Sequence, residues 1–391
     1  MIPVAEALAH LFDLITTLPA EEVPLVQASG RVLARDVMAR RDQPPFPASS
    51  MDGYAVAGGD VAPGAQFTVV GEAAAGHRFA GAVGQGQAVR IFTGAPMPEG
   101  TDWVVIQEDV HREGDEITLG DTLETKPYVR PAGADFREGD SIAAPRLLSP
   151  SDIALLASMN IAQVPVTRRP VVAIIATGDE LVQPGEDPGP DQIIASNSYG
   201  LAALLQATGA ETRLLPIARD NSDALTLAFD LARGADLIVT IGGASVGDHD
   251  LVGAVAEAAG MERAFYKIAM RPGKPLMAGR MGDAVMIGLP GNPVSAMVCG
   301  HVFVVPVIRA MLGLGQAPAP RQTAVLAHDI GPNGPREHYT RAKRGRDDVT
   351  IFDRQDSALL TVLADADCLA IRPPYDGPRA KGDAIEIIPF A

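Results

Sequence analysis

The stretch Leu237–Asp250, LIVTIGGASVGDHD, constrains the fold more than any other part of this chain. It opens as an apolar, β-branched run from Leu237 to Ile241, which favours a buried strand. Gly242-Gly243 end the run. A loop with Ser245, Gly247, Asp248, His249 and Asp250 then leads into an Ala-rich helical segment, Leu251–Ala259. A loop leaving the carboxyl end of a parallel strand is where α/β sheets bind ligands. Glycines there let backbone N–H groups approach an anion, and the helix N-terminus behind adds positive potential. Two carboxylates beside such a loop suggest a metal ion between protein and phosphate. Taken alone, the loop reads as a capped helix start with Asp248 or Asp250 as N-cap. Its meaning depends on the loops around it.

Similar loops do surround it. Val171–Ala176 is a continuous apolar run ending in Thr177-Gly178-Asp179-Glu180-Leu181. Asn197–Thr208 reads as a helix closed by Gly209. Thr212–Ile217 is the next strand, ending at Arg219-Asp220-Asn221, and Ser222 caps a helix running to Arg233. This βαβαβ alternation predicts an α/β doubly wound parallel sheet with ligands at the strands' carboxyl ends. Three of those ends carry carboxylates: Asp179 with Glu180, Asp220, and Asp248 with Asp250. Phe265–Ala269 reads as a further strand, followed by Met270-Arg271-Pro272-Gly273-Lys274-Pro275. Arg271 can bind an oxyanion bidentately, whereas Lys274 acts as a point charge. Ala284–Leu289 is another strand, broken by Pro290-Gly291-Asn292-Pro293. Val294–Leu312 then reads as a helix apolar all round, hence buried. Ser295 lies in its first turn, where the helix dipole favours an anion.

The flanking segments are β-rich. Near the start, Val4, Leu8, Leu11, Phe12 and Ile15 fall on one helical face, and a strand follows near Val23–Gln27. The proline-rich run Asp42–Pro47 cannot be regular structure and leads to Asp52-Gly53, a turn signal before a strand at Tyr54–Val56. From Ala65 to Ile142 short β runs alternate with glycine turns, among them Thr93-Gly94-Ala95-Pro96 and Arg130–Asp135. Helical pattern returns at Pro150–Asn160 with Ser149 or Ser151 as N-cap. After residue 316 the chain reverts to β patterning, with Thr361–Leu363, Cys368–Ile371 and Ile385–Ile388 as strands. Arg336, Arg341, Lys343, Arg344 and Arg346 cluster there, as a solvated hairpin face or a phosphate-contacting edge. The expected division is a discontinuous linking element of 1–40 plus 140–168, an inserted β domain over 41–139, the α/β domain over 169–315, and a β-barrel-like domain over 316–391.

Length and charge narrow the function. A chain of 391 residues exceeds one ordinary core, so two to four domains are expected. The only two cysteines, Cys299 and Cys368, cannot build a disulfide framework, and the expected compartment is reducing. The N-terminus lacks a basic leader region, and no apolar run is uninterrupted enough to span a bilayer: Val294–Ile308 is broken by His301 and Pro306. A cytoplasmic protein with no membrane partner is expected. A net charge of −16 argues against nucleic acid as partner. It also means that an anionic substrate needs a local basic site or a metal ion, because charges beyond about 8 Å are largely screened. No zinc spacing and no Walker A motif occurs. The physical reading ends at an anion-handling α/β domain with accessory β domains, served by Mg²⁺.

Six motifs carry a resemblance. Ser50-Met51-Asp52-Gly53-Tyr54-Ala55, Thr93-Gly94-Ala95-Pro96, Thr177-Gly178-Asp179-Glu180-Leu181, Gly242-Gly243-Ala244-Ser245-Val246-Gly247, Pro272-Gly273-Lys274-Pro275 and Leu289-Pro290-Gly291-Asn292-Pro293-Val294-Ser295 occur in one order. Over nearly its whole length the chain resembles the molybdopterin molybdenumtransferases, and it is similar to the E domain of gephyrin. The resemblance implies an elongated homodimer of four-domain subunits whose α/β domain is like a molybdopterin adenylyltransferase. It implies an active site shared between that domain of one subunit and the inserted β domain of the other. The implied reaction is Mg²⁺- and molybdate-dependent cleavage of adenylated molybdopterin, with AMP leaving. Molybdopterin adenylyltransferase would act upstream, and molybdoenzymes or their chaperones downstream. By the same resemblance Asp220 and Asp250 hold Mg²⁺. Asp52, Thr93, Asp135, Glu180, Asp250 and Lys274 are catalytic. Asp179, Gly243, Ser245, Gly247, Asp248, Arg271, Pro290, Asn292 and Ser295 bind substrate. Arg271 stands where some relatives carry Lys, and Asp220-Asn221 where some carry two acids. Two other readings stay open. Adenylyl transfer on the same fold would leave the β domains without a role. A non-enzymatic scaffold binding receptor loops, as gephyrin's E domain does, is tested by a receptor-loop peptide.

Overall fold

The structure, a computed structural model, describes residues 1–243 and 251–390. The chain divides into two compact units. One holds Met1–Glu21, Gly30–Ala34 and the chain from Val166 onward, and the other Glu22–Ser29 and Arg35–Pro165.

The first unit is built on a six-stranded sheet of β1 (Val171–Ala176), β2 (Glu211–Leu214), β3 (Leu237–Ile241), β4 (Met261–Tyr266), β5 (Met277–Met281) and β6 (Ala284–Leu289), in the order β2-β1-β3-β6-β5-β4. β2, β1, β3 and β6 are parallel, and β5 and β4 add antiparallel strands at one edge. All five residues of β3 are buried, because helices cover both faces. Successive side chains take opposite faces. Leu237, Val239 and Ile241 pack with Leu201 and Leu205 of α2 (Asn197–Ala207) and with Leu8 and Leu11 of α1 (Val4–Asp13). Ile238 packs on the other face with Leu225 and Phe229 of α3 (Ser222–Leu231) and Val252 and Val255 of α4 (Leu251–Ala258). Asp236 enters β3 under a two-pronged bond from Arg168, at 2.7 and 2.8 Å, which anchors the strand's amino end.

Four local expectations are corrected here. The N-cap of α3 is Asn221, whose side chain accepts from the Ala224 N–H at 2.9 Å, so Ser222 is already helical. The strand expected over Phe265–Ala269 is β4, which ends at Tyr266, because its pairing with β5 stops at Met277. The long apolar helix is α5 (Pro293–Cys299), a π-helical turn over Gly300–Val304 and α6 (Val305–Met311). It is long and apolar enough to cross a bilayer, yet 78% of its apolar window is buried inside the protein, which makes it the core helix. Thr361–Leu363 lies in a short helix, α7 (Leu360–Asp365), from which Leu363 packs against the core.

In the same unit a second sheet contains β7 (Gln322–Val325), β8 (Glu337–Arg344), β9 (Val349–Ile351), β10 (Cys368–Arg372) and β11 (Ala384–Pro389). A two-residue strand, Met270–Arg271, joins its edge beside β8. The inward residues Ala342, Cys368, Ala370, Ile385 and Ile387 form its own core.

The second unit is dominated by a six-stranded sheet in which the adjacent strands Gly53–Val56 and Gln87–Ile91 both lie inside the sheet. Tyr54 and Val56 pack on one face, and Ala55 on the other with Val89 and Ile91. Its helix Pro150–Ser158 starts in a capping box in which Ser149 and Asp152 bond reciprocally.

Candidate functional site

A cleft of about 580 Å³ opens at the carboxyl ends of β1, β3 and β6. Its floor is Thr177 and Gly178 after β1, Gly242 and Gly243 after β3, and Pro290 and Gly291 after β6. This follows from the parallel arrangement, which brings the three loops to one side of the sheet. The glycine pair is required by close approach. A Cβ on Gly242, at φ +98°, would lie 2.7 Å from the Thr177 carbonyl oxygen. One on Gly243, at φ +65°, would lie 2.2 Å from a methyl of Val252. Thr177 is buried, and its hydroxyl has no hydrogen-bond partner among the described residues. An unmet hydroxyl on the floor of a cleft leaves a polar group for a bound ligand.

Carboxylates gather at one end. Glu180 and Asp220 line the cleft. Asp179 Oδ1 accepts from the Asp220 N–H at 3.2 Å, and Arg219 donates to the Asp179 carbonyl at 2.7 Å. Desolvation, and then the Asp179 and Glu180 carboxylates, push the Asp220 carboxyl above its ordinary range. A cation would relieve that repulsion. Among the described residues, no three His, Cys, Asp or Glu side chains converge at metal-binding distance. Carboxylate oxygens are the donors a hard divalent cation takes, and among the described residues these do not form a metal-binding group. Ser245, Gly247, Asp248 and Asp250 lie outside the described residues.

The opposite wall comes from far along the chain. Asn292 Nδ2 donates to Ser357 Oγ at 3.1 Å, and the Val294 N–H to the Ser357 carbonyl at 3.0 Å. Ala358 lines the cleft next to this clamp. Asn197, at the start of α2, donates to the Gly291 carbonyl at 2.7 Å. The Pro-Gly-Asn-Pro turn is thus held between α2 and the segment after β9. Ser295 is buried and lies outside the cleft lining. Lys274 is half-buried behind Pro275, which does line it. Arg271 is exposed and aligned with His338 of β8, which in turn pairs with Arg372 of β10, so the three share one face. Burial and the surrounding arginines, Arg271 first, push His338 down to about 4.

Sequence reasoning left Arg341 as one member of a basic cluster. It is a fully buried guanidinium, with donors to Gln355 Oε1 and to the Leu359 carbonyl, both at 3.2 Å. No carboxylate lies within ion-pair distance among the described residues. Such a charge is costly unless something anionic answers it. Its position alternating with Tyr339, a core residue, was the available signal, since an Arg on the apolar side of a strand pattern is seldom solvent-facing.

In the second unit Asp52 and Thr93 meet. Asp52 Oδ1 accepts from both the N–H and the hydroxyl of Thr93, each at 2.7 Å. Those two bonds, the backbone one first, hold the Asp52 carboxyl below its ordinary range, with a further contribution from Arg90. Arg90 lies over the rings of Tyr54 and Phe92, at 5.0 and 4.9 Å, and donates to Gln107 at 2.6 Å. Asp135 is exposed, and its N–H donates to the Gln43 carbonyl at 2.9 Å.

The fold and cleft define a multidomain protein with a ligand-binding α/β domain and β-rich companions. Family models match along the chain. The MoeA N-terminal region (domains I and II) covers residues 2–160, a probable molybdopterin binding domain 173–310, and the MoeA C-terminal region (domain IV) 323–390. The molybdopterin molybdenumtransferase of Nostoc sp. is 39% identical over 84% of this chain and 79% of its own. That of Haemophilus influenzae is 34% identical over 95% and 94%. A crystal structure of the molybdopterin biosynthesis MoeA protein from Pyrococcus horikoshii superposes with a TM-score of 0.86 at 30% identity, over 100% of this chain and 99% of that one. The chain belongs to the molybdopterin molybdenumtransferase family, the MoeA proteins.

Proposed function

We propose that this transferase of molybdenum cofactor biosynthesis inserts molybdenum from molybdate into adenylated molybdopterin and releases AMP in a Mg²⁺-dependent reaction. The observation that carries the reading is the cleft at the strand ends of the domain matched as molybdopterin-binding. It combines glycine backbone, an unmet threonine hydroxyl and a carboxylate end. In this reading Asp220 and Asp250 hold Mg²⁺, whose charge would offset that of the phosphoanhydride. Glu180 and Asp179 shape that end of the cleft. Gly243, Ser245, Gly247 and Asp248 approach the phosphates, and Pro290 and Asn292 form the facing wall. Arg271, Lys274 and Ser295 would hold molybdate or the pterin phosphate.

Asp52, Thr93 and Asp135 form the catalytic group of the inserted β domain, acting in trans in a homodimer. Support for Asp52 is the pair of hydrogen bonds it accepts from Thr93, which favour its ionised form and fix it. The doubly wound character of the α/β domain, the four-domain division (1–40 plus 140–168, 41–139, 169–315, 316–391), the cytoplasmic location and the upstream and downstream partners belong to the same reading. The test is AMP release from adenylated molybdopterin with molybdate and Mg²⁺ each present or omitted. Release that requires both is expected. Release that is indifferent to molybdate would overturn the reading.

A further inference from the structure

In the second unit the Asp52–Thr93 pair joins two places where the chain meets the sheet. Asp52 immediately precedes the strand Gly53–Val56, and Thr93 lies two residues beyond the end of Gln87–Ile91. The two strands are antiparallel neighbours, with Gly53 opposite Ile91 and Tyr54 opposite Arg90. Register therefore brings Asp52 and Thr93 to one end of the strand pair, but it does not fix the chain on either side of them. Gly53 has no room for a side chain that could: a Cβ there would lie 2.0 Å from the Val105 carbonyl oxygen. Arg90, half-buried, makes the missing ties. Its Nη1 donates to the Gly53 carbonyl at 3.3 Å, and its Nη2 to Gln107 Oε1 at 2.6 Å. The Gln107 N–H in turn donates to the Asp52 carbonyl at 3.1 Å. The guanidinium thus restrains the peptide groups on both sides of Gly53. Its Cζ also lies 4.9 Å from the ring centre of Phe92, the residue before Thr93, and 5.0 Å from that of Tyr54. One side chain touches the residue after Asp52 and the residue before Thr93. A lysine offers neither the planar face nor the fork that these contacts use.

We propose that Arg90 is a positioning residue for Asp52. Through the Gly53 carbonyl, Gln107 and the Phe92 ring, it holds the Asp52–Thr93 pair in the geometry that the reaction uses. The proposal rests on the reading of Asp52 as catalytic, and it assigns Arg90 no contact with substrate. Misplacing a reacting group by about 1 Å costs on the order of 100-fold in rate. Substrate binding made by other residues is untouched by such a shift, so the loss falls on kcat and not on KM.

The test is a double-mutant cycle on molybdate-dependent AMP release by the full chain, joined to hydrogen exchange of the Thr93 amide, which donates to Asp52. Arg90→Gln and Arg90→Lys should both lower kcat by about tenfold or more and leave KM within about twofold. In an Asp52→Asn background the same substitutions should lower kcat by less than about twofold, because no carboxylate remains to be misplaced. Exchange of the Thr93 amide, which needs no turnover, should quicken by about tenfold or more in Arg90→Gln. Equal losses of kcat in the two backgrounds would overturn the proposal, as would wild-type kcat in Arg90→Gln. Full rescue by Arg90→Lys would overturn it as well, since charge alone would then suffice. Should Arg90→Gln fail to fold, Gln107→Ala, which removes one acceptor of the guanidinium, replaces it in both measurements with the same expectations. Wild-type kcat in Asp52→Asn alone would refute the catalytic reading of Asp52, and the proposal with it. Loss of release in Asp52→Asn together with unchanged Thr93 exchange in Arg90→Gln would refute the role of Arg90 and leave that reading standing.

Discussion

Replacing Gly242 by alanine tests whether backbone contact between strand ends, rather than glycine flexibility in general, builds the cleft floor. Two penalties add. A φ of +98° is unfavourable for an L-residue by about 1–2 kcal/mol. The new methyl would lie 2.7 Å from the Thr177 carbonyl oxygen and 3.0 Å from its hydroxyl, and neither atom is the end of a flexible chain. Overpacking of this kind costs about 1–3 kcal/mol. The expected loss is therefore about 2–5 kcal/mol by the sum of those two terms. Two controls separate them. Gly234→Ala, at φ +76° with no atom within 4 Å, should carry the backbone cost alone, about 1–2 kcal/mol. Gly291→Ala meets only the Gly242 α-carbon, at 3.6 Å, and should change stability by less than about 1 kcal/mol. Thermal unfolding, at about 2–4 °C per kcal/mol, ranks the three. Hydrogen exchange of the Ile238–Ile241 amides localises the effect to β3. A Gly242→Ala protein no less stable than Gly234→Ala would refute the contact argument and leave only the torsional one.

Asp220→Asn removes a carboxylate raised by desolvation and by its acidic neighbours, so at neutral pH the metal-free variant should be at least as stable as wild type. Mg²⁺ should raise the unfolding temperature of wild type more than that of the variant, and equal rises would remove Asp220 from the metal set. Asp236 is pushed up by burial but held below its ordinary range overall by Arg168 and the Val171 N–H. Its folded value is depressed, so its stabilisation is present above the unfolded value and is lost as pH falls through the folded one. Asp236→Asn should cost about 1–3 kcal/mol at pH 7 and converge with wild type well below about pH 4, as denaturation at the two pH values would show. Thr93→Val removes one of the two bonds to Asp52, so the acid limb of AMP release should move to higher pH, while Thr93→Ser should leave it in place.

Much of the architecture was legible along the chain because it is local. The run from Leu237 to Ile241 had to be a doubly covered strand, since all five residues are apolar or β-branched and glycines stop it. The helix at Val4–Asp13 followed from the spacing of Val4, Leu8 and Leu11. Two acidic strand ends, Asp179 with Glu180 and Asp220, were legible as a group, because parallel strands put their carboxyl ends on one side; Asp248 and Asp250 lie outside the described residues. Caps and short elements were less so. Asn221 and Ser222 are both good caps, and only the bond to the Ala224 N–H selects one. Thr361–Leu363 has β-branched character, yet becomes helical where Leu363 meets the core.

The sequence by itself thus determined the sheet's strands, the turns at their ends and, through six ordered motifs, the family. Only the tertiary structure decided which of those turns share a cavity. Side-chain periodicity assigns a residue to a face of its own element, but long-range register decides what that face meets. Register with β8 sets Arg271 beside His338. The fold buries Ser295 and Arg341, and it brings Ser357 and Ala358 against Asn292, 65 residues away from the serine. Arg90 is a sharper case: the sheet sets it beside Gly53 and Gln107, 37 and 17 residues away. No segment carries a pattern for that meeting, because register between strands belongs to the sheet and has no period of its own.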